Sequence, residues 1–160
     1  MQPADIGAVL EIQARCYTEV VNESAESFLA KLEVAPEGCF VAQAQGRALG
    51  YLVSLPIAFS RPPALDARQL SVPGDVDCLY LHDLAVAPEA RGSGAGGVLV
   101  RRFMQRARQA GFRRAALIAV QQSGPFWQRQ GFRPVVPCAS VQRKLGSYGE
   151  EACYMAQTLA

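Results

Sequence analysis

Residues 79–97 read LYLHDLAVAPEARGSGAGG, and few arrangements accommodate that run. Leu79 to Val86 is apolar and β-prone, Pro88 marks a turn, and Arg91 precedes glycines at positions 92, 94, 96 and 97. An amphipathic helix follows. Glycines let backbone N–H groups approach a ligand that a Cβ would hold off. A helix N-terminus adds unpaired donors and the positive end of a dipole, and the fork of Arg91 suits phosphate oxygens. The expected order is therefore strand, phosphate cradle, helix. A turn serving only strand-to-helix geometry would need neither the arginine nor this many glycines.

Three phosphate-binding patterns compete for the segment. The P-loop pattern fails, because no Gly-Lys-Ser/Thr follows the glycines. The dinucleotide fingerprint matches by letters as Gly92-x-Gly94-x-x-Gly97. That fingerprint also needs an acidic residue about 20 positions on, and the next strand, Ala115 to Gln122, offers none. The third pattern is Arg-Gly-x-Gly-x-Gly after a strand. It resembles the acetyl-CoA pyrophosphate loop of the GNAT superfamily of N-acetyltransferases.

Other segments extend the resemblance. Pro125-Phe126-Trp127-Gln128-Arg129-Gln130-Gly131-Phe132 is similar to the segment that closes the acyl-CoA site in that superfamily. Asp5 to Tyr17 is similar to its first helix, and Gly38 to Ser54 to the hairpin that follows. The strand Leu81-His82-Asp83-Leu84-Ala85-Val86, with Phe132-Arg133-Pro134 and Pro137-Cys138-Ala139, most resembles the arylalkylamine (serotonin) N-acetyltransferase-like branch. The resemblance implies one α/β domain over residues 1–160. Its GNAT fold would be a single mixed central sheet of about six to seven strands, flanked by helices and splayed at the acetyl-CoA site. Family members open with a strand before the first helix. Only Met1 to Ala4 remain for it here, so a stub is expected unless the sequence begins late. The resemblance further implies acetyl-CoA as cosubstrate without a metal. Leu84, Ala85 and Val86 would hold the pantetheine, and Arg91, Gly92, Ser93, Gly94, Ala95 and Gly96 the pyrophosphate.

Composition narrows the alternatives. A net charge of +2 is too small to argue for nucleic acid, and no apolar run approaches the roughly 18 residues that span a bilayer. Arginines 101, 102, 106, 108, 113 and 114 cluster along and after one helix. They read as its solvated face, with one of them in reach of a coenzyme A 3′-phosphate as the functional alternative. Cysteines 16, 39, 78, 138 and 153 form no CxxC pair, which points to a reducing, cytoplasmic compartment. Cys78 and Cys138 are expected to be small buried hydrophobes. His82 is the only histidine, so a multi-histidine metal site is excluded.

Periodicity supplies the elements. Ile6, Val9, Leu10, Ile12 and Cys16 recur at helical spacing behind Asp5 as N-cap, and Phe28, Leu29 and Leu32 mark a second helix. Strands are expected at Cys39–Ala44, Ala48–Ser54, Leu79–Val86, Ala115–Val120, Phe132–Val136 and Cys153–Thr158, with a turn at Gln45-Gly46. Short helical spacing covers Pro125–Gln130. Residues 56–75 carry four prolines and form a long loop, expected to act as a substrate lid.

Acetyl transfer to an amine needs a base, because a free alkylammonium is mostly protonated at neutral pH. His82 has the right ordinary pKa and lies just before the implied pantetheine strand. Strand alternation puts Tyr80 on its face, where the branch resemblance implies a proton carrier; a core or wall aromatic is the structural alternative. Asp83 is the second-ranked base, turned to the opposite face unless a bulge intervenes. The family places a tyrosine four residues before the Gly of Gly-Phe, where this chain has Trp127. An indole N–H donates a hydrogen bond but no proton, so Trp127 is expected to position the sulfur, with Tyr148 and Tyr154 as candidate donors. A backbone N–H at Leu84 to Val86 would bind the carbonyl oxygen. Tyr17, Phe28, Phe59 and Tyr148 are candidates for an aromatic acceptor pocket. The expected activity is acetyl transfer to a small-molecule primary amine by direct attack in a ternary complex. An aromatic amine and a homodimer are both allowed; nucleic acid and membrane partners are not expected. A non-catalytic acyl-CoA sensor and a dinucleotide-binding domain stay open as alternatives.

Overall fold

The computed structural model describes residues 1–17 and 22–159. Helix α1 (Ile6–Cys16) buries Ile6, Val9 and Ile12. Asp5 does not cap it. The residue closes a 3₁₀ turn over Pro3–Asp5 instead, and its carboxylate accepts the Gln2 N–H at 2.7 Å. Helix α2 (Ala25–Val34) is capped by Ser24, whose Oγ accepts the Ser27 N–H. Phe28 and Leu32 face inward, while Leu29 is 41% exposed. Strands β1 (Cys39–Ala44) and β2 (Arg47–Ile57) form a hairpin. Its turn residues Gln45 and Gly46 sit at φ 51° and 73°, the left-handed pair that matches strand twist.

Strand β3 (Cys78–Val86) leads through the glycines into α3 (Ala95–Gln109), and β4 (Arg114–Ala119) and α4 (Gly124–Arg129) follow. The expected strand at Phe132–Val136 shrinks to β5 (Arg133–Pro134). Pro134 and Pro137 lack the N–H that a longer ladder would require. Helix α5 (Ala139–Leu145), which periodicity did not suggest, precedes β6 (Cys153–Thr158). Among the described residues no strand precedes α1.

One mixed six-stranded sheet runs β1-β2-β3-β4-β6-β5, with β3 and β4 parallel and the other pairs antiparallel. On one face α3 packs Leu99, Val100 and Phe103 onto Leu79, Leu81 and Leu117. Val9 and Phe28 from α1 and α2 cover Tyr51, Val53 and Ala85 on the other. Val141 and Leu145 of α5 extend that second layer over Tyr80 and Tyr154. Phe103, fully buried, would cost about 3–5 kcal/mol if cut to Ala.

Two irregularities in β3 prepare the site. Its parallel pairing with β4 ends at Leu81 opposite Leu117, although β3 continues to Val86. The two strands therefore part company. The antiparallel register with β2 also slips by one residue: Val53 faces Asp83, and Ser54 faces Leu81. His82 is the extra residue of a β-bulge.

Candidate active site

A cavity of about 290 Å³ fills the gap where β3 leaves β4. One wall is Leu84 to Val86, the other Ile118, Val120 and Gln121. The Ala87 N–H donates to Leu49 O at 2.9 Å, so by ladder alternation Ala85 pairs with β2 while Leu84 and Val86 point their polar groups into the gap. Their carbonyls take side-chain donors: Tyr17 Oη reaches Leu84 O at 2.8 Å, and Cys16 Sγ reaches Val86 O at 3.2 Å. The two N–H groups remain a free strand edge. Arg91 and Gly96 line the same cavity. Gly92 and Gly94 take φ 81° and 87°, and nothing lies within 4 Å of where a Cβ would stand. Gly94 ends the loop as the left-handed residue that starts α3, a conformation in which other residues are strained.

His82 sits inside this cavity with its side chain 1% exposed. Its Nε2 lies 2.8 Å from Glu23 Oε1. Glu23 belongs to no helix or strand, yet it is held firmly. The Gln13 amide brackets its backbone with two bonds of 2.9 Å. Its Oε2 accepts from Lys31 Nζ at 2.8 Å, from the Ser27 hydroxyl at 3.1 Å and from the Asp66 N–H at 2.7 Å. Lys31 is completely buried and also reaches Ser27 Oγ. Burial works to raise the Glu23 carboxyl, but the bond and charge of His82 and the ammonium of Lys31 outweigh it and hold Glu23 at about 2. An ionised carboxylate only accepts, so Nε2 carries the imidazole proton. In the neutral imidazole Nδ1 is then the bare nitrogen, and it is buried without a hydrogen-bond partner.

The bulge turns Asp83 onto the face that His82 shares with α1 and α2. Both line the cavity, where simple alternation would have separated them. The Tyr51 hydroxyl donates to the Asp83 carboxylate at 2.6 Å, and the Tyr17 hydroxyl shares its one proton between that carboxylate and Leu84 O, each at 2.8 Å. Burial pushes the Asp83 carboxyl up against the pull of those donors. Burial and the Asp83 charge in turn lift both phenols well above the ordinary tyrosine value.

Residues 6–132 match the model of the acetyltransferase (GNAT) family. The chain belongs to the GNAT acetyltransferase family. Its α/β sheet, open between β3 and β4, is the GNAT fold. Ard1 from Thermoplasma volcanium superposes with a TM-score of 0.75 at 17% identity, covering 100% of this chain and 95% of that one. PaiA N-acetyltransferase from Thermoplasma acidophilum, in complex with coenzyme A, gives 0.70 at 15% identity, over 99% and 96%. The GNAT-like decarboxylase GphF, in complex with isobutyryl-CoA, gives 0.71 at 18% identity, over 100% and 97%. Structures sharing this GNAT fold thus hold CoA or its acyl thioesters, and among the described residues no cluster of His, Cys, Asp and Glu is suited to a metal. No described helix is long and apolar enough to cross a membrane.

Within this GNAT chain the expected site residues separate. His82, Leu84, Ala85, Val86, Arg91, Gly96 and Trp127 converge on the cavity. Tyr80 does not: it is 1% exposed, packed in the core beneath α5, its ring centroid 6.0 Å from that of His82 in an edge-on arrangement. Trp127 contributes a wall rather than a free donor, because its Nε1–H goes to Ser123 Oγ at 3.2 Å and its ring packs edge-on to Phe126 and Phe132. Tyr148 lines the cavity, and its buried hydroxyl lies near the Tyr80 phenol without forming a well-aligned hydrogen bond. Tyr154 is spent on Phe59 O at 2.7 Å. Of the aromatic acceptor candidates Tyr17 and Tyr148 reach the cavity. Phe28 is core against Tyr51, and Phe59 stacks on Tyr154. Cys78 is buried as expected, but Cys138 is exposed at the start of α5. Arg106 pairs with Glu37, and Arg102 lies over Phe40, so part of the arginine face is structural.

Sequence reasoning missed Glu23, Lys31, Gln13 and Asp66. One signal was readable. In α2 the buried stripe runs Ser27, Phe28, Lys31, Leu32, and a lysine on an apolar stripe implies a buried carboxylate partner.

Proposed function

We propose that the chain transfers the acetyl group of acetyl-CoA to a primary amine of a small molecule by direct attack in a ternary complex. The observation that carries this reading is the bare, buried Nδ1 of His82, fixed by Glu23 beside the open edge of β3. Leu84 and Val86 present N–H groups suited to the pantetheine amides, and Arg91 to Gly96 a backbone cradle suited to the pyrophosphate. His82 takes the proton that frees the amine lone pair, and Glu23 stabilises the imidazolium so formed. The amine nitrogen then bonds the thioester carbon. His82 gives up that first proton to water, and as the C–S bond breaks its Nδ1 takes the second N–H proton and hands it to the departing thiolate. Burial lifts the Tyr148 phenol above its ordinary value, well above a thiol at about 8.5. Tyr148 therefore stays protonated and donates a hydrogen bond to the charge developing on the thioester.

The likenesses give the arylalkylamine branch no support, so aromatic amines form one arm of the test beside aliphatic amines and peptide N-termini. Thiol release from acetyl-CoA is measured across that panel. His82→Gln should lower kcat/KM by about 10²-fold and remove the acidic limb of its pH profile. An unchanged profile would rule His82 out as base, and tight CoA binding without turnover on any amine would favour a sensing role.

A further inference from the structure

The 20 residues from Ala58 to Asp77 that join β2 to β3 are stapled at their base. Tyr154 Oη and Ser140 Oγ donate to Phe59 O and Ser60 O at 2.7 and 2.9 Å, Lys144 reaches Pro62 O, and Arg61 pairs with Asp75. The middle of the loop meets the site at one place. Leu65 lines the cavity, and Asp66 adopts φ 50°. Asp66 Oδ1 accepts both the N–H and the hydroxyl of Ser24, at 2.8 and 2.6 Å. The Asp66 N–H runs back to Glu23 Oε2 at 2.7 Å, and Ala67 O lies 3.1 Å from Ser27 Oγ. The loop therefore grips the residue that orients the histidine, along with its neighbour Ser24.

We propose that Asp66 is a positioning residue, a latch that couples closure of the 58–77 loop over the acceptor end of the cavity to the orientation of Glu23 against His82. With the latch closed, Oε2 has its full set of donors, and Oε1 is left to hold Nε2–H and keep Nδ1 bare. When the loop lifts, an amine gains entry past Leu65, but Glu23 loses its backbone donor and the histidine its fixed tautomer. The base is thus completed only over an acceptor small enough for Leu65 to close upon, and water is excluded at the same moment. This reading rests on His82 as base, yet the latch can be observed without turnover. The chain contains a single histidine, so its ring ¹⁵N resonances report the tautomer unambiguously.

The test compares wild type with Asp66→Gly, which tolerates φ 50° but has no carboxylate, and with Asp66→Asn, which tolerates that φ and keeps an acceptor for Ser24. Wild type should show Nε2–H with bare Nδ1. Asp66→Gly should show a mixed tautomer and faster amide exchange across residues 63–70, with β3 still protected. Its kcat/KM for the amine should fall about tenfold or more, while KM for acetyl-CoA stays unchanged. Asp66→Asn should restore the tautomer and most of the rate. If Asp66→Gly loses protection in β3, Ser24→Gly removes the hydroxyl on the other side of the contact and decides instead, by the same tautomer and exchange readouts. An unaltered tautomer with unaltered loop exchange in the glycine variants would overturn the latch, as would an Asp66→Asn variant no better than Asp66→Gly. Absence of turnover in wild type would count against the proposed function while leaving those two readouts to judge the latch.

Discussion

Removing the Lys31 ammonium puts the Glu23 network under its severest strain. Lys31 and Glu23 are both buried, 2.8 Å apart, so Lys31→Met leaves a carboxylate in the interior with neutral donors and His82 as its only support. Breaking one side of a buried pair costs about 3–5 kcal/mol, a large part of the roughly 5–15 kcal/mol that holds a domain together. At about 2–4 °C per kcal/mol for a chain of this size, Tm should fall by roughly 6–20 °C. Glu23→Gln should cost a similar amount, by stranding the lysine. The double variant Glu23→Gln/Lys31→Met leaves no buried charge in the pair and should recover most of the loss. Urea melts followed by circular dichroism at pH 7 give all three values. The pH dependence carries its own sign. Glu23 is held at about 2 in the folded chain, against an ordinary 4.5. Its contribution of about 3 kcal/mol is therefore complete above pH 4.5 and is lost as pH falls towards 2. The gap between wild type and Lys31→Met should close over that window. A single variant costing under about 1 kcal/mol, or a double variant costing the sum of the singles, would refute a buried ion pair of this kind.

Further expectations concern the cradle and the donor. Gly94→Val places a β-branched residue at φ 87°; it should cost about 1–2 kcal/mol and abolish the rise in Tm with CoA, and a folded variant that keeps its CoA affinity would sink the cradle. Tyr148→Phe deletes a buried hydroxyl that makes no well-aligned hydrogen bond and lies near the Tyr80 phenol, so urea melts should show stability changed by less than about 1 kcal/mol. Its kcat should drop about 10²-fold if that hydroxyl meets the developing charge, and an unchanged kcat would remove Tyr148 from the reaction.

The parts of the site that were legible in the sequence are those written in local pattern. Arg91 to Gly97 needs glycines at the positions that turn out left-handed, and α3 carries its buried face in the 3.6-residue period. Gln45-Gly46 marks its own turn. What stayed hidden depends on pairing across the fold. Glu23 lies 59 residues from His82 in the chain, and Asp66 meets Ser24 across 42. Each alone looks like an ordinary solvated polar residue. Asp5 illustrates the opposite failure: a good N-cap letter in a good N-cap place, whose carboxylate finds the Gln2 N–H first. Helix α5 is short and carries only Val141 and Leu145 inward, too few repeats for a period to emerge.

The bulge at His82 links these two kinds of information. Strict alternation along β3 would set Leu79, Leu81, Asp83 and Ala85 on the α3 face, burying a carboxylate among Leu99 and Phe103. With one extra residue, Leu84 joins Leu79 and Leu81 against α3, while Asp83 and Ala85 turn to Tyr51 and α1. Asp83 thereby finds two phenolic donors in place of an apolar layer. Burying an unpartnered carboxylate costs far more than one interrupted ladder position, so the hydrophobic pattern itself selects the slipped register. The slip fixes His82 at the parting of β3 and β4 and leaves Leu84 and Val86 as the free edge beyond it. The places of Asp83, of His82 and of the free edge at Leu84 and Val86 follow from a single register choice, made by an aspartate at position 83 and a leucine at 84.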